Sequence, residues 1–191
     1  TFFCSHGHST YDSVASVPLI IKTPDSTPSR VSQVVRNIDV APTILELLGI
    51  AYENNIDGRS LAELVQGKQD SLPLIPAYST SGPIHQGFFR AQPRIYLDGV
   101  EGAWRSVRTE QWKLIRIPHP ETDIYELYDL KADPGETRNL YDPAHEKVAE
   151  LTGMLNSIEA RVDQDSSVIP VQGELDEETT EMLESLGYIG L

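Results

Sequence analysis

A chain of 191 residues with 15 Lys and Arg against 29 Asp and Glu carries a formal charge of −14, which repels phosphate backbones and argues against nucleic-acid binding through bulk charge. Hydrophobic residues make up 39% and charged residues 23%, enough apolar material for a sizeable core in one domain or two small ones. No apolar run approaches the roughly 20 residues needed to span a bilayer, and a single cysteine, Cys4, excludes an intrachain disulfide framework and a cysteine-based zinc site.

The N-terminus lacks the charged and apolar regions of a signal peptide, and Thr1-Phe2-Phe3 reads as the middle of a longer chain, so a fragment is expected. Val17-Pro18-Leu19-Ile20-Ile21 is a continuous apolar run, which predicts a strand buried on both faces of a parallel sheet. Asp39 to Gly49 predicts a helix with Asp39 as N-cap, Pro42 in the first turn, Gly49 as terminator and Ile44, Leu47 and Leu48 on one face. Asp57-Gly58 marks a turn, and Ser60-Leu61-Ala62-Glu63 has capping-box spacing. After Leu72 the texture changes. Strands are expected at 76–80, 104–108, 112–117 and 124–130, the middle two as a hairpin, with a long loop over 81–102. Asp142-Pro143 opens a helix whose stripe is Val148, Leu151, Leu155, Ile158 and Val162. Asp176 caps a last short helix that Gly187 ends.

Two constellations carry possible chemistry. His6 and His8 flank Gly7 on a loop just before the apolar run, where they could bind a metal, move a proton or donate to an oxyanion. The plain alternative is a pair of surface imidazoles satisfied by carbonyls. Asp123, Glu126, Asp129, Asp133 and Glu136 do not follow the spacing of a calcium loop, and in so acidic a chain they read as solvated surface and turn carboxylates. No nucleophile elbow, P-loop or dinucleotide fingerprint occurs.

Read together, the motifs resemble the sulfatase family of the alkaline-phosphatase-like superfamily. His6-Gly7-His8-Ser9-Thr10-Tyr11-Asp12 with Val17 to Ile21 is similar to the family's "HG-x-[ST]-LYDE…RVPLII", departing from it at Thr10, Ser13 and Ser16. Asp39 to Ile50 resembles its "D-[LV]-x-PT-[LI]-L-x-LAGI" helix, and Asp57 to Leu61 its "DG-x-SL" turn. Val107 to Thr109 with Trp112 to Ile115 resembles "VRT-x-x-[YW]KLI". Glu126 to Leu130 with Asp133 to Leu140 resembles "ELYDL-x-x-DP-x-E-x-x-NL", and Leu186-Gly187-Tyr188 also recurs in such proteins.

The resemblance implies an α/β, alkaline-phosphatase-like C-terminal fragment. Residues 1–72 would be the edge of the large catalytic α/β domain. Residues 73–191 would form a smaller α+β subdomain with a four-stranded antiparallel sheet and a packed helix. It further implies a parent hydrolase that cleaves sulfate esters of a small molecule or glycan through a formylglycine nucleophile and Ca²⁺. The motif bearing that nucleophile and the "DHGE" metal segment have no match here, so neither nucleophile nor metal ligands are carried over. By spacing to Tyr11, His6 matches a family Lys or His that contacts the sulfate and protonates the leaving group, with His8 second. The family also implies a periplasmic, secreted or lysosomal-type compartment. The rival expectations are a non-catalytic, truncated or degenerate chain acting only in packing or interaction, and a phosphodiesterase or phosphotransferase of the same superfamily. Taken by itself, this chain is expected to be inactive.

Overall fold

The structure, a computed structural model, describes residues 7, 9–24, 27–52, 56–82, 100, 102–164, 179 and 182. The chain divides into two compact units, Thr1–Ile158 and Glu159–Leu191. All the described strands belong to the first. The second holds the final residues of a helix that ends at Gln164, and helical positions at Thr179 and Met182. The rest of the helix expected after Asp176 lies outside the described residues, as does most of the loop expected over 81–102.

The first elements are short. Helix α1 is Asp12–Ala15, a 3-10 turn covers Asn37–Asp39, α2 is Val40–Leu47 and α3 is Ala62–Val65. Residues 16–23 carry no regular secondary structure, and Val17, Leu19 and Ile20 are exposed, so the expected buried strand is absent. A strand of a parallel sheet needs a hydrogen-bonded neighbour and cover on both faces, and no described element supplies either.

Helix α2 forms where expected and Gly49 ends it at φ +68, a conformation glycine adopts without strain. Its burial differs from expectation. Pro42 and Thr43 are buried, whereas Ile44 and Leu48 are exposed. Asp39 makes no side-chain cap to α2, because its carboxylate is taken by the guanidinium and N–H of Arg36 and by the Arg59 N–H. Thr43 instead ties α2 to the start of α3: its hydroxyl donates to the Asp39 carbonyl and accepts from the Leu61 N–H at 2.9 Å. Ser60 accepts from the Ala62 N–H, but Glu63 bonds Gln69 rather than closing a capping box.

Four strands follow: β1 Ala77–Thr80, β2 Arg105–Arg108, β3 Trp112–Ile117 and β4 Ile124–Asp129. They form one antiparallel sheet, as the sequence predicts, and its strand order is β1-β2-β3-β4. Because side chains alternate along a strand, the sheet has two faces. Val107, Leu114 and Leu127 point to one, and α4 (Glu146–Gln164) covers it with Val148, Leu151 and Leu155. Val162 is not among the residues whose side chains are described. Trp104, Ile115, Ile117 and Tyr128 point to the other face, where Tyr11 packs.

Helix α4 starts later than Asp142 predicts. The Asp142 carboxylate accepts from the Ala144 N–H at 2.9 Å and makes a local turn, and His145 Nδ1 then accepts from the Lys147 N–H at 3.2 Å. An Asp carboxylate can accept from a backbone N–H two residues on as readily as it can cap a helix, and here it turns the chain.

Candidate functional site

His6 and His8 lie outside the described residues. The residues beside them show how their loop is anchored. Gly7 has φ +82, and its carbonyl accepts from the Gly82 N–H at 2.7 Å, just past β1. A Cβ on Gly82 would stand 3.3 Å from that carbonyl, so the two backbones meet where glycine fits best. Ser9 and Thr10 are buried.

Tyr11 lies on the sheet face opposite α4. Its ring meets Trp104 edge-on at 5.6 Å and Tyr128 at 6.2 Å between centroids, a favourable geometry for aromatic pairs. Its hydroxyl donates to Glu126 Oε2 at 2.8 Å, and Tyr128 donates to the same oxygen at 2.9 Å. Burial, reinforced by the Glu126 charge, pushes both phenols well above their usual range.

Asp12 is held at three points. Arg108 Nε donates to Oδ2 at 3.1 Å, Lys113 Nζ donates to Oδ1 at 2.7 Å, and the Asp12 N–H donates to Glu136 Oε2 at 2.6 Å. Lys113 Nζ also sits 2.7 Å from Glu136 Oε1, in an ion contact rather than an aligned hydrogen bond. Lys113 is 1% exposed and the Glu136 side chain 4%. Two carboxylates and two cations leave the cluster formally neutral. Burial raises the proton affinity of Glu136 and outweighs the opposing pull of Lys113.

The turn that presents Glu136 is built by Asp133, whose Oδ2 accepts from the N–H groups of Thr137 and Arg138 at 2.7 and 2.8 Å. Glu136 itself has φ +51, which side-chain-bearing residues adopt at a cost. Asp133 is thus the turn residue that the sequence predicts. Glu126 and Glu136 correct the expectation of solvated acids, since one binds two phenols and the other is buried against Lys113. Lys113, set among the apolar residues of Trp112–Ile117, is the one sequence signal that could have raised a buried partner for Glu136.

The described residues thus tie Gly7 to Gly82, Tyr11 to Glu126, and Asp12 to Arg108, Lys113 and Glu136. Among them, no three His, Cys, Asp or Glu gather as they would around a metal ion. No described helix is long and apolar enough to cross a membrane.

The family model described as "N-sulphoglucosamine sulphohydrolase, C-terminal" matches residues 7–75 and 98–163. The chain is 28% identical to arylsulfatase K of Xenopus laevis over 151 residues, covering 78% of this chain and 27% of that protein. It is 29% identical to the N-acetylglucosamine-6-O-sulfatase of Bacteroides thetaiotaomicron over 150 residues, covering 76% of this chain and 25% of that protein. It thus spans about a quarter of the length of these curated relatives. Among solved structures, the phosphonate monoester hydrolase of Silicibacter pomeroyi shares its fold with a TM-score of 0.60 at 24% identity, over 91% of this chain and 34% of that one.

Proposed function

This chain belongs to the N-sulphoglucosamine sulphohydrolase C-terminal family, and from that premise we propose that it is the C-terminal part of a sulfatase-like hydrolase cleaving sulfate esters. The observation that carries the proposal is the extent of the family match. It takes in both the loop from Gly7 onward and the sheet segment to which Tyr11 and Asp12 are tied. Residues 1–72 are assigned to the end of the catalytic α/β domain and residues 73–191 to its α+β subdomain. The relatives named as sulfatases support a sulfated small molecule or glycan as substrate of the parent.

In this proposal His6 contacts the sulfate and donates to the bridging oxygen, with His8 as second choice. An imidazole with a reference pKa of about 6.5 can donate a hydrogen bond in either protonation state near neutrality. The formylglycine nucleophile and Ca²⁺ are assigned to upstream residues of the parent, where the cation would supply charge stabilisation of the oxyanion.

The test is the polypeptide that includes those upstream residues, assayed on an aryl sulfate with Ca²⁺ present. His6→Ala should lower kcat on the order of 10²–10⁴-fold, the usual contribution of a general acid, and leave Ca²⁺ affinity nearly unchanged. His8→Ala should be milder. A crippling His8→Ala beside a silent His6→Ala moves the role to His8. Turnover of phosphodiesters or phosphonates without turnover of sulfates overturns the substrate class.

A further inference from the structure

The Lys113, Asp12 and Glu136 cluster carries two costs that a merely stabilising contact would avoid. An ammonium 1% exposed is taken out of water between two carboxylates, and in such a pair desolvation offsets the attraction. Glu136 reaches it only from a left-handed backbone conformation that few side chains adopt. Both costs fall at one place, the residue where the histidine loop ends and α1 begins. Asp12 is gripped there through both carboxylate oxygens and its N–H, while Gly7, five positions earlier, is gripped through its carbonyl by Gly82. Buried ion groups retained without a stability gain are best attested as devices that fix a single register.

We propose that Lys113 is a positioning residue: buried between Asp12 and Glu136, its ammonium fixes Asp12, and with it the segment that follows His6 and His8 in sequence, on the sheet, and the activity assigned to the histidine pair depends on that anchor. The inference rests on the functional reading above, which gives those imidazoles their task. Lys113 itself touches no reacting atom.

The experiment uses the polypeptide with its upstream residues and follows kcat, KM and amide hydrogen exchange together. Lys113→Met and the milder Glu136→Gln should lower kcat by up to about 10²-fold, the penalty of a misplaced catalytic group, with little change in KM. Lys113→Arg, which keeps the charge, should recover part of the loss. Lys147→Met, which breaks a pair with Glu150 on α4, should leave kcat unchanged. Exchange should quicken over residues 7–15 while α4 stays protected. If Lys113→Met does not fold, Glu136→Gln decides. A folded Glu136→Gln with the original kcat overturns the proposal, whatever its melting temperature, because the cluster would then position nothing that the reaction needs. If the unaltered enzyme turns over no sulfate ester, the functional reading fails by itself. Exchange then decides the anchoring: faster exchange at 7–15 in Glu136→Gln sustains it, and unchanged exchange overturns it.

Discussion

Asp39 and Glu136 are both buried carboxylates that face a cation, yet folding moves their proton affinities in opposite directions. Burial opposes the charge of Asp39, but the Arg36 guanidinium at 2.6 and 3.2 Å and the N–H groups of Arg36 and Arg59, each at 3.0 Å, outweigh it and hold the carboxyl below its usual range. Glu136 has one ion contact and one N–H donor, and burial wins. A depressed carboxyl lends stability above its unfolded pKa and loses it as pH falls through the folded value. Asp39→Asn should therefore cost about 2 kcal/mol near neutrality, and the cost should shrink on acidification below about pH 4. The raised carboxyl of Glu136 does the reverse: its contribution is full below the unfolded pKa and is lost as pH rises through the folded one. The stability difference between Glu136→Gln and the unaltered chain should thus tilt against the unaltered chain as pH rises from about 4. Urea unfolding across pH 3.5–7 (roughly the span over which carboxyls titrate) checks both slopes. Gly58 gives a sharper test, because a Cβ there would stand 1.8 Å from the Ile38 carbonyl oxygen. Gly58→Ala should cost about 3 kcal/mol or more, read as a drop in melting temperature. A variant that melts like the parent would show that the Asp57-Gly58 turn can open.

At the level of elements, what can be read depends on what covers each one. The hairpin of β2 and β3 is legible because Val107, Leu114, Ile115 and Ile117 bury themselves against neighbours supplied within the next fifty residues. The α4 stripe is legible for the same reason. Strand β4 alternates poorly in sequence because Glu126 and Tyr128 look like outward residues, although both face the aromatic cluster under Tyr11. The run Val17 to Ile21 and the face of α2 with Ile44 and Leu48 look like core in sequence, but in the structure they are largely exposed, since periodicity reports an apolar face and not what covers it. The contrast predicts different costs for similar substitutions. Leu155→Ala, at a fully buried position, should destabilise the fold by about 2–5 kcal/mol. Leu48→Ala, at a site 67% exposed, should stay within about 0.5 kcal/mol. Denaturant melts of the two variants side by side decide it, and equal losses would mean that the α2 face is covered.

For the molecule as a whole, the sheet divides its labour between its faces. One is packed by α4 and is apolar. The other receives the histidine loop through Tyr11 and Asp12, with hydrogen bonds and ion pairs running beneath it. In sequence the candidate site is a loop with two imidazoles, and both lie outside the described residues. Its anchorage was not, because Lys113 and Glu136 stand 101 and 124 positions from Asp12 and only the fold brings them together. An anchorage is not an active site, and the chain alone should turn over an aryl sulfate in Ca²⁺ no faster than buffer does. Turnover that survives His6→Ala would refute this. The carboxylate shared by Tyr11 and Tyr128 has an optical consequence. The chain has eight tyrosines, and an ordinary phenol ionises near pH 10, while these two hold their protons past that point. Near-ultraviolet absorbance of phenolate in an alkaline titration therefore leaves both dark as long as the loop is seated. If the loop lifts from the sheet, Tyr11 loses Glu126 and its cover together and joins the ordinary step. The protein thus contains its own chromophore for loop docking, readable with no substrate, no label and no turnover.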